Sequence, residues 1–396
     1  MKRRTFIKSA GVLTVLVAGG GVWRAYDQGV FSIGQGPAYE PWKNWREDAS
    51  QGPLGLVRAA ILAANPHNTQ PWLFKVMEGR IELYADTIRN LGAFDPYLRE
   101  MHLGLGCAVE NMALAATANG YEAEVTLSEG TLAPIPSTPE PTLVARIDLS
   151  PGKKVRSSLY EAIPQRHTNR GAYNPDRPLS PEVLSEIRRI AEYDSKINIF
   201  VYTAEADKAK FGDAVTKATE AIIADATMVH DSETWFRHSW ADIQKFRDGP
   251  TLDAAGLSPL ITAIAKILPP PSAEMNHRYW LDATRDVHVA TSPMFGLLAV
   301  HDLYDRAQTM RAGRVWQRMH LWATSQGIAM QPLNQPVELV DRERELNKEP
   351  HAAQVLADLT GTLAWKPTFA FRAGYPEREA LTSPRRPVEQ VVVQGR

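Results

Sequence analysis

The sequence predicts an α+β fold made of two related halves in one chain. Three observations carry this. At 396 residues the chain is long enough for two domains or two repeats. The same theme, helices around short strands, occurs once before and once after about residue 150. Two polar motifs of complementary character, "NPHNTQPW" from Asn65 and "QRHTNR" from Gln165, lie one in each half. The boundaries read as residues 1–33 for a leader and linker, 34–150 for the first repeat, and 151–396 for the second, which carries an insertion at about 226–287.

Taken in order, "MKRRTFIKSAGVLTVLVAGGGVW" opens with Lys2, Arg3 and Arg4 and continues into an apolar run rich in Gly and Ala. The run from Ala10 to Trp23 is shorter than the ~20 residues a bilayer-spanning helix needs, so a targeting segment is expected. "RRTFIK" resembles a twin-arginine export signal, with an ordinary secretory signal or a short anchor as the alternative. The expected localisation is exported, periplasmic or membrane-associated through an uncleaved signal, and no A-x-A cleavage box is seen. Residues 24–53, rich in Gly, Pro and polar side chains, read as linker.

"LGLVRAAILAA" predicts a helix that stops at Asn65, because the residue before Pro66 is pushed out of the helical region. "PWLFKV" and "RIELYA" flank "MEGR" as a hairpin. "REMHLGLGCAVENMALAATANG" is a long helix ending at a glycine, and "YEAEVTLS" and "TLVARIDL" alternate as strands. In the second half, "VRSSLYEAI" and "PLSPEVLSEIRRIAE" predict helices, the latter with Ser180 as N-cap and Pro181 at the first helical position. "KINIFVYT" is a strand and 205–225 a helix. Residues 226–287 are irregular in pattern, which suits a lid or a partner surface. "PMFGLLAVHDLYDRAQTMRAGRVWQRMHLWATSQG" suggests a buried helix pair. A shorter helix follows near Ala352–Thr362, and "KPTFAFRAGYP" and "VEQVVVQ" close the chain as strands.

Composition excludes several classes of function. The net charge is −1, from 44 basic and 45 acidic side chains, without the basic excess of a nucleic-acid binder. The single cysteine, Cys107, lies in a pattern that reads as a buried helix face, so a packed side chain is expected rather than a reactive thiol. No G-x-S-x-G, H-E-x-x-H, Walker A or G-x-G-x-x-G is present, and the ten histidines do not cluster at ligand spacing. No metal is expected.

"RHTNR" places Arg166, His167, Thr168 and Arg170 within five residues. Two guanidiniums and a hydroxyl can surround a phosphate with charge-assisted hydrogen bonds; a solvated basic turn is the plainer reading. Arg385 and Arg386 in "SPRRPVE" could complete such a site. "NPHNTQPW" offers amides that donate and accept together, and a capped helix end followed by a turn is its plainer reading.

These motifs also carry a resemblance. "AAILAANPHNTQPWLFKV" resembles the nitroreductase family's A-x-x-A-P-S-x-x-N-x-Q-P-W-x-F, and "QRHTNRGAYNPDRPLSPEVLSEIRRIA" its opening R-R-S-x-R-x-F…P-L-P-x-E-x-L. "FRAGYPE…SPRRPVEQVV" resembles its closing R-x-G-Y-P…R-x-P-x-E-E-V-V. With the leader, the set is most similar to the single-chain branch known as the Acg family. The resemblance implies a nitroreductase-like fold of two fused repeats forming an intrachain pseudo-dimer, self-sufficient as a monomer. Ordinary members are symmetric dimers whose flavins sit at the interface. Here the arginine motif follows the N-x-Q-P-W motif instead of preceding it. Fusion would then leave one complete site and one dead one.

The resemblance further implies FMN as cofactor, with Arg166, His167 and Thr168 at its phosphate and ribityl and with Arg385 and Arg386 closing the phosphate. Arg170 would lie near the flavin N1 and C2 carbonyl. The segment "MQPLNQ", with Gln331, Pro332 and Leu333, would align with the family's loop whose backbone N–H groups meet the ring, and Pro66, His67 and Asn68 would approach from the other repeat. His67, where the family has a small residue, is in descending order a structural side chain, a proton source or a steric block. The implied activity is ping-pong transfer through flavin N5, with no catalytic side chain, from a small-molecule donor to a nitroaromatic or quinone. A flavin-sequestering stress protein is the alternative. The export machinery is the one macromolecular partner expected.

Overall fold

The structure, a computed structural model, describes residues 21–46 and 52–393. The twin-arginine-like stretch of the leader lies outside the described residues.

Two four-stranded sheets organise the chain. The first joins β1 (Trp72–Met77), β2 (Arg80–Ala85), β3 (Tyr121–Leu127) and β4 (Thr142–Pro151) in the order β1-β2-β4-β3. The second joins β5 (Asn198–Tyr202), β6 (Met294–Val300), β7 (Ala329–Pro332) and β8 (Lys366–Gly374) in the order β5-β6-β8-β7. Every pairing within them is antiparallel. The connection from the second strand to the third of each sheet contains a long helix, Arg99–Asn119 in one half and Arg306–Ser325 in the other. The two halves therefore repeat one topology, as the sequence predicts.

The two long helices cross at glycines. Gly106 is the eighth residue of its helix and Gly313 the eighth of the other. A methyl group on Gly106 would stand 2.1 Å from the Met310 carbonyl oxygen, and one on Gly313 would stand 1.9 Å from that of Leu103. Met310 and Leu103 are themselves equivalent, each the fifth residue of its helix. The contact is thus reciprocal, as a pseudo-twofold arrangement requires. Cys107 lies in this crossing, fully buried, with its Sγ 3.2 Å from the Gly313 carbonyl, and burial pushes its thiol up out of the reactive range. An amide chain ties the crossing to the first repeat. Gln317 donates to Asn111 at 2.8 Å, and Asn111 donates to the Ala59 carbonyl at 2.8 Å.

The second half also reaches back to the first sheet. The Phe74 N–H donates to the Val391 carbonyl at 2.8 Å, and the Val393 N–H to the Phe74 carbonyl at 2.8 Å. On its way there the C-terminal tail passes the loop before β1 and delivers Arg385 to it.

Four expectations are corrected. The supposed linker is partly core: Ala38, Tyr39, Trp42 and Trp45 are buried, and residues 21–27 and Glu40–Lys43 are helical. Gly and Pro punctuate that stretch, but its aromatic residues find apolar partners, and burial decides. The stretch 226–287 is not irregular; it holds helices at Ala226–Glu233, Trp240–Phe246, Pro259–Ile267 and Ala273–Asp282. The expected helix pair from Pro293 is a strand, β6, followed by one helix. β6 is buried on both faces, so it lacks the alternation that marks a half-exposed strand. Of the expected strand "VEQVVVQ", Val388–Gln390 makes a 3-10 turn and Val392 a single-residue bridge to β1, while Gln394 lies outside the described residues.

Candidate functional site

The site grows from a helix end. The Leu54–Ala60 helix runs out at Leu62 and Ala63, whose carbonyls remain as acceptors. Each takes one arginine. Arg166 Nη2 donates to the Leu62 carbonyl at 3.1 Å, and Arg385 Nη2 to that of Ala63 at 3.3 Å. Arg166 comes from the second repeat, behind the short helix Ser158–Ala162, whose N-cap Ser157 accepts from the Tyr160 N–H. Arg385 comes from the C-terminal tail and lies over the Trp42 ring, 4.7 Å from its centroid. Consecutive carbonyls thus set two guanidiniums side by side.

Their electrostatics are unusual. Arg166 is 2% exposed and Arg385 3%. Among the described residues, neither is paired with a carboxylate, and the Nε of each is buried without a partner. Burial lowers the Arg166 pKa to about 10. Burial and then the Arg166 charge depress that of Arg385 well below the usual range. His167, edge-on to Trp42 with ring centroids 4.6 Å apart, is held down to about 3 by burial, then by Arg166 and Arg385. His320 is buried against the same group and is also lowered, first by burial and then by Arg166. Buried cations are normally paired. Two unneutralised guanidiniums with spare N–H donors fit a phosphate-bearing group.

The first repeat contributes the loop of "NPHNTQPW". His67, Asn68 and Gln70 take φ values of 45°, 53° and 52°, left-handed for residues with a Cβ. Such strain persists only where the surroundings over-determine it. Here the Asn65 side chain accepts from the Gln70 N–H at 2.7 Å, and Gln70 Nε2 donates to the Arg247 carbonyl at 2.8 Å. The Asn68 side-chain oxygen accepts from Arg385, and its amide donates to the Pro384 carbonyl at 2.9 Å. Pro66 packs on Gly104, where a methyl would meet its Cδ at 2.9 Å.

The structure therefore brings Arg166, His167, Asn68 and Arg385 together, with Thr168 half-buried next in the chain. Arg170 lies further along, its Nη1 donating to the Ala254 carbonyl at 3.2 Å. Its charge acts on His67, whose pKa is held down to about 4 by burial and then by Arg170. The β7 end joins the same loop, since the Asn169 N–H donates to the Met330 carbonyl at 3.3 Å. Gln331 accepts from Arg372 at 2.7 Å, and Pro332 ends that strand. Two expected contributions differ. The Leu333 N–H is taken by the Ala370 carbonyl at 2.8 Å, so it serves the sheet. Arg386 turns away from Arg166, its guanidinium bonding to the carbonyls of Gln70 and Gln390.

The insertion covers the site. Gly249 and Asn68 exchange hydrogen bonds, Ser232 Oγ meets His67 Nε2 at 2.8 Å, and Gly256 lies against the Arg170 backbone so closely that a methyl there would be 2.4 Å from it.

Two Mycobacterium tuberculosis proteins align with nearly the whole chain. The one named "Putative NAD(P)H nitroreductase Rv3131" is 25% identical over 346 residues, which is 85% of this chain and 90% of that protein. The one named "Putative NAD(P)H nitroreductase acg" is 26% identical over 348 residues, 85% of this chain and 93% of that one. The chain is a homologue of these proteins. No family model matches it. Among solved structures, the FMN-dependent nitroreductase NfnB from Mycobacterium smegmatis in complex with NADPH aligns with 60% of this chain and 98% of its own, at 16% identity and a TM-score of 0.37.

Several site residues of this nitroreductase homologue escape the sequence reading. Trp42 was hidden in the supposed linker, although "EPWKNW" spaces two tryptophans three apart, as a packed helical turn would. Asn169 pins the loop, its side chain accepting from the Gly171 N–H at 2.9 Å and donating to the Arg378 carbonyl at 2.7 Å. Arg372 stacks on Tyr173 at 3.8 Å and donates to the Gly171 carbonyl at 2.6 Å. A strand pattern does not mark a buried arginine; the signal that could have found Arg372 is its place at the head of the R-x-G-Y-P resemblance, where it has no assigned role.

Proposed function

We propose that the chain is an FMN-dependent oxidoreductase of the nitroreductase type, with a single complete flavin site built by both repeats. The observation that carries this is the carboxylate-free pair of buried guanidiniums, Arg166 and Arg385, held against Asn68 of the other repeat. When bound, FMN supplies hydride and electron transfer at its N5 between a donor such as NADPH and an electron-poor acceptor, a nitroaromatic or a quinone. The protein's part is binding and electrostatics. Arg166 and Arg385 would hold the phosphate with charge-assisted bonds, and the Thr168 hydroxyl would add a neutral one. Arg170 would supply a positive charge able to stabilise a reduced, anionic ring. Ahead of β1, among the described residues, Arg46 is ion-paired with Glu161.

The seal formed by 232–256 favours a second reading, a flavin-holding protein with little turnover. A spectrum of the purified chain before and after denaturation decides the cofactor: FMN release near one per chain is expected. Arg166→Ala should lose that flavin, whereas Asn68→Ala should keep it with altered reduction. An Arg166→Ala protein that binds FMN normally overturns the phosphate assignment. Bleaching of bound flavin by NADPH, reversed by an acceptor, separates the enzyme from the sequestering protein.

A further inference from the structure

One helix of the insertion is folded inside out. In Pro259–Ile267 the polar residues Thr262 and Lys266 face inward, 3% and 7% exposed, and Lys266 Nζ lies 2.7 Å from buried Asp253. The apolar residues Leu260, Ile261 and Ile264, with Leu268 just beyond, face outward, Leu260 being 71% exposed. Their spacing of one, four and eight positions puts them on one stripe. An amphipathic helix that buries its cation and shows its leucine to solvent is oriented for an apolar partner.

The N-terminal helix, residues 21–27, is docked beside the end of that stripe. Arg24 reaches across, its Nε donating to the Ile267 carbonyl at 2.5 Å, and so covers carbonyls at the helix C-terminus. Ala25 faces inward while Trp23 and Tyr26 stand 68% and 75% exposed. The sequence entering this helix has Lys2, Arg3, Arg4 and Lys8 followed by an apolar run, with no acidic residue before Asp27. Among the described residues no helix is long and apolar enough to cross a membrane.

We propose that this face, the outer stripe of Pro259–Ile267 together with Trp23 and Tyr26, is a docking surface for an anionic phospholipid bilayer, on which the folded domain lies. Amphipathic aromatic side chains suit the interface between headgroups and acyl chains. A leading cluster of cations draws in anionic lipid. A second copy of the chain would be indifferent to lipid charge.

The test is flotation of the full purified chain with vesicles of phosphatidylglycerol and phosphatidylethanolamine, against phosphatidylcholine alone. The wild type should float with the anionic vesicles. Leu260→Gln/Ile264→Gln, which touches exposed side chains only, should lower the bound fraction at least tenfold, and Trp23→Ala should lower it less. Hydrogen exchange on the wild type alone gives an independent reading, with vesicles protecting amides in 257–268. A double variant that floats like the wild type, or exchange in 257–268 unchanged by vesicles, overturns the proposal. So does a wild type that ignores vesicles but is dimeric by light scattering while the variant is monomeric, which would make this face a contact between copies.

Discussion

Arg166→Met separates a ligand-binding cation from a structural one, because the two roles predict opposite signs in the cofactor-free protein. Among the described residues, the wild-type guanidinium has one hydrogen bond, to the Leu62 carbonyl, a buried partnerless Nε, and Arg385 as its charged neighbour. Burial lowers its pKa from the ordinary guanidinium range to about 10. At about 1.4 kcal/mol per unit, the charged form costs the fold on the order of 3 kcal/mol at pH 7, where the arginine is ionised in both folded and unfolded chains. Methionine keeps most of the apolar volume and removes the charge. Against the relief stand one lost hydrogen bond, about 1 kcal/mol, and imperfect packing of similar size. The cofactor-free variant should therefore be as stable as the wild type or about 1 kcal/mol more stable, while FMN binding, deprived of two or more charge-assisted bonds, weakens by ~100-fold. Scanning calorimetry of the stripped proteins and flavin fluorescence titration measure the two quantities. A stripped variant several kcal/mol less stable than the wild type, still binding FMN tightly, would show that Arg166 is a framework residue and would refute the reasoning.

Other outcomes follow from the same geometry. Gly313→Ala puts a methyl 1.9 Å from a backbone oxygen; it should destabilise by about 3 kcal/mol or more, read as a lower unfolding midpoint in denaturant, and Gly106→Ala should behave alike. His67, held neutral down to about 4, contributes stability that is present above the unfolded value of 6.5 and is lost as pH falls toward 4. His67→Gln should remove on the order of 3 kcal/mol of that acid dependence, measured by melting between pH 7 and 4.5. Trp42→Ala should cost about 3–5 kcal/mol as a buried aromatic and weaken FMN binding through Arg385, whose stacking surface it removes.

Legibility in the sequence followed physical type. Helices with caps and strands with alternation were readable: Ser180 does accept from the Val183 N–H, and Gly120 ends its helix at a φ of 87°. β6 was misread because a strand buried on both faces has no period to show. The insertion was opaque because helices such as Pro259–Ile267 turn their apolar side outward, so the pattern promises burial and the structure delivers exposure. At the site, Arg166 and Asn68 stood out as unusual polar residues near helix ends. Trp42 did not, and Arg372 showed only as the first residue of R-x-G-Y-P with no task, because what they do depends on neighbours more than 300 and about 200 positions away in the chain, Ser383 and Gly171. Arg385 and Arg386 are adjacent in sequence yet point to different tasks, a distinction only the path of the tail could make.

The reciprocal glycine crossing has a consequence for how this molecule responds to dilution and to mutation. Where two free subunits share a site, that site dissolves when the protein is scarce, and every substitution appears in duplicate. Here Asn68 and Arg385 are joined by one covalent chain, so their encounter is intramolecular and independent of how many molecules are present. Each half is also a separate target. Gly106 and Gly313, equivalent by topology, can be altered one at a time, and the difference between the two variants would report directly how far the halves have diverged.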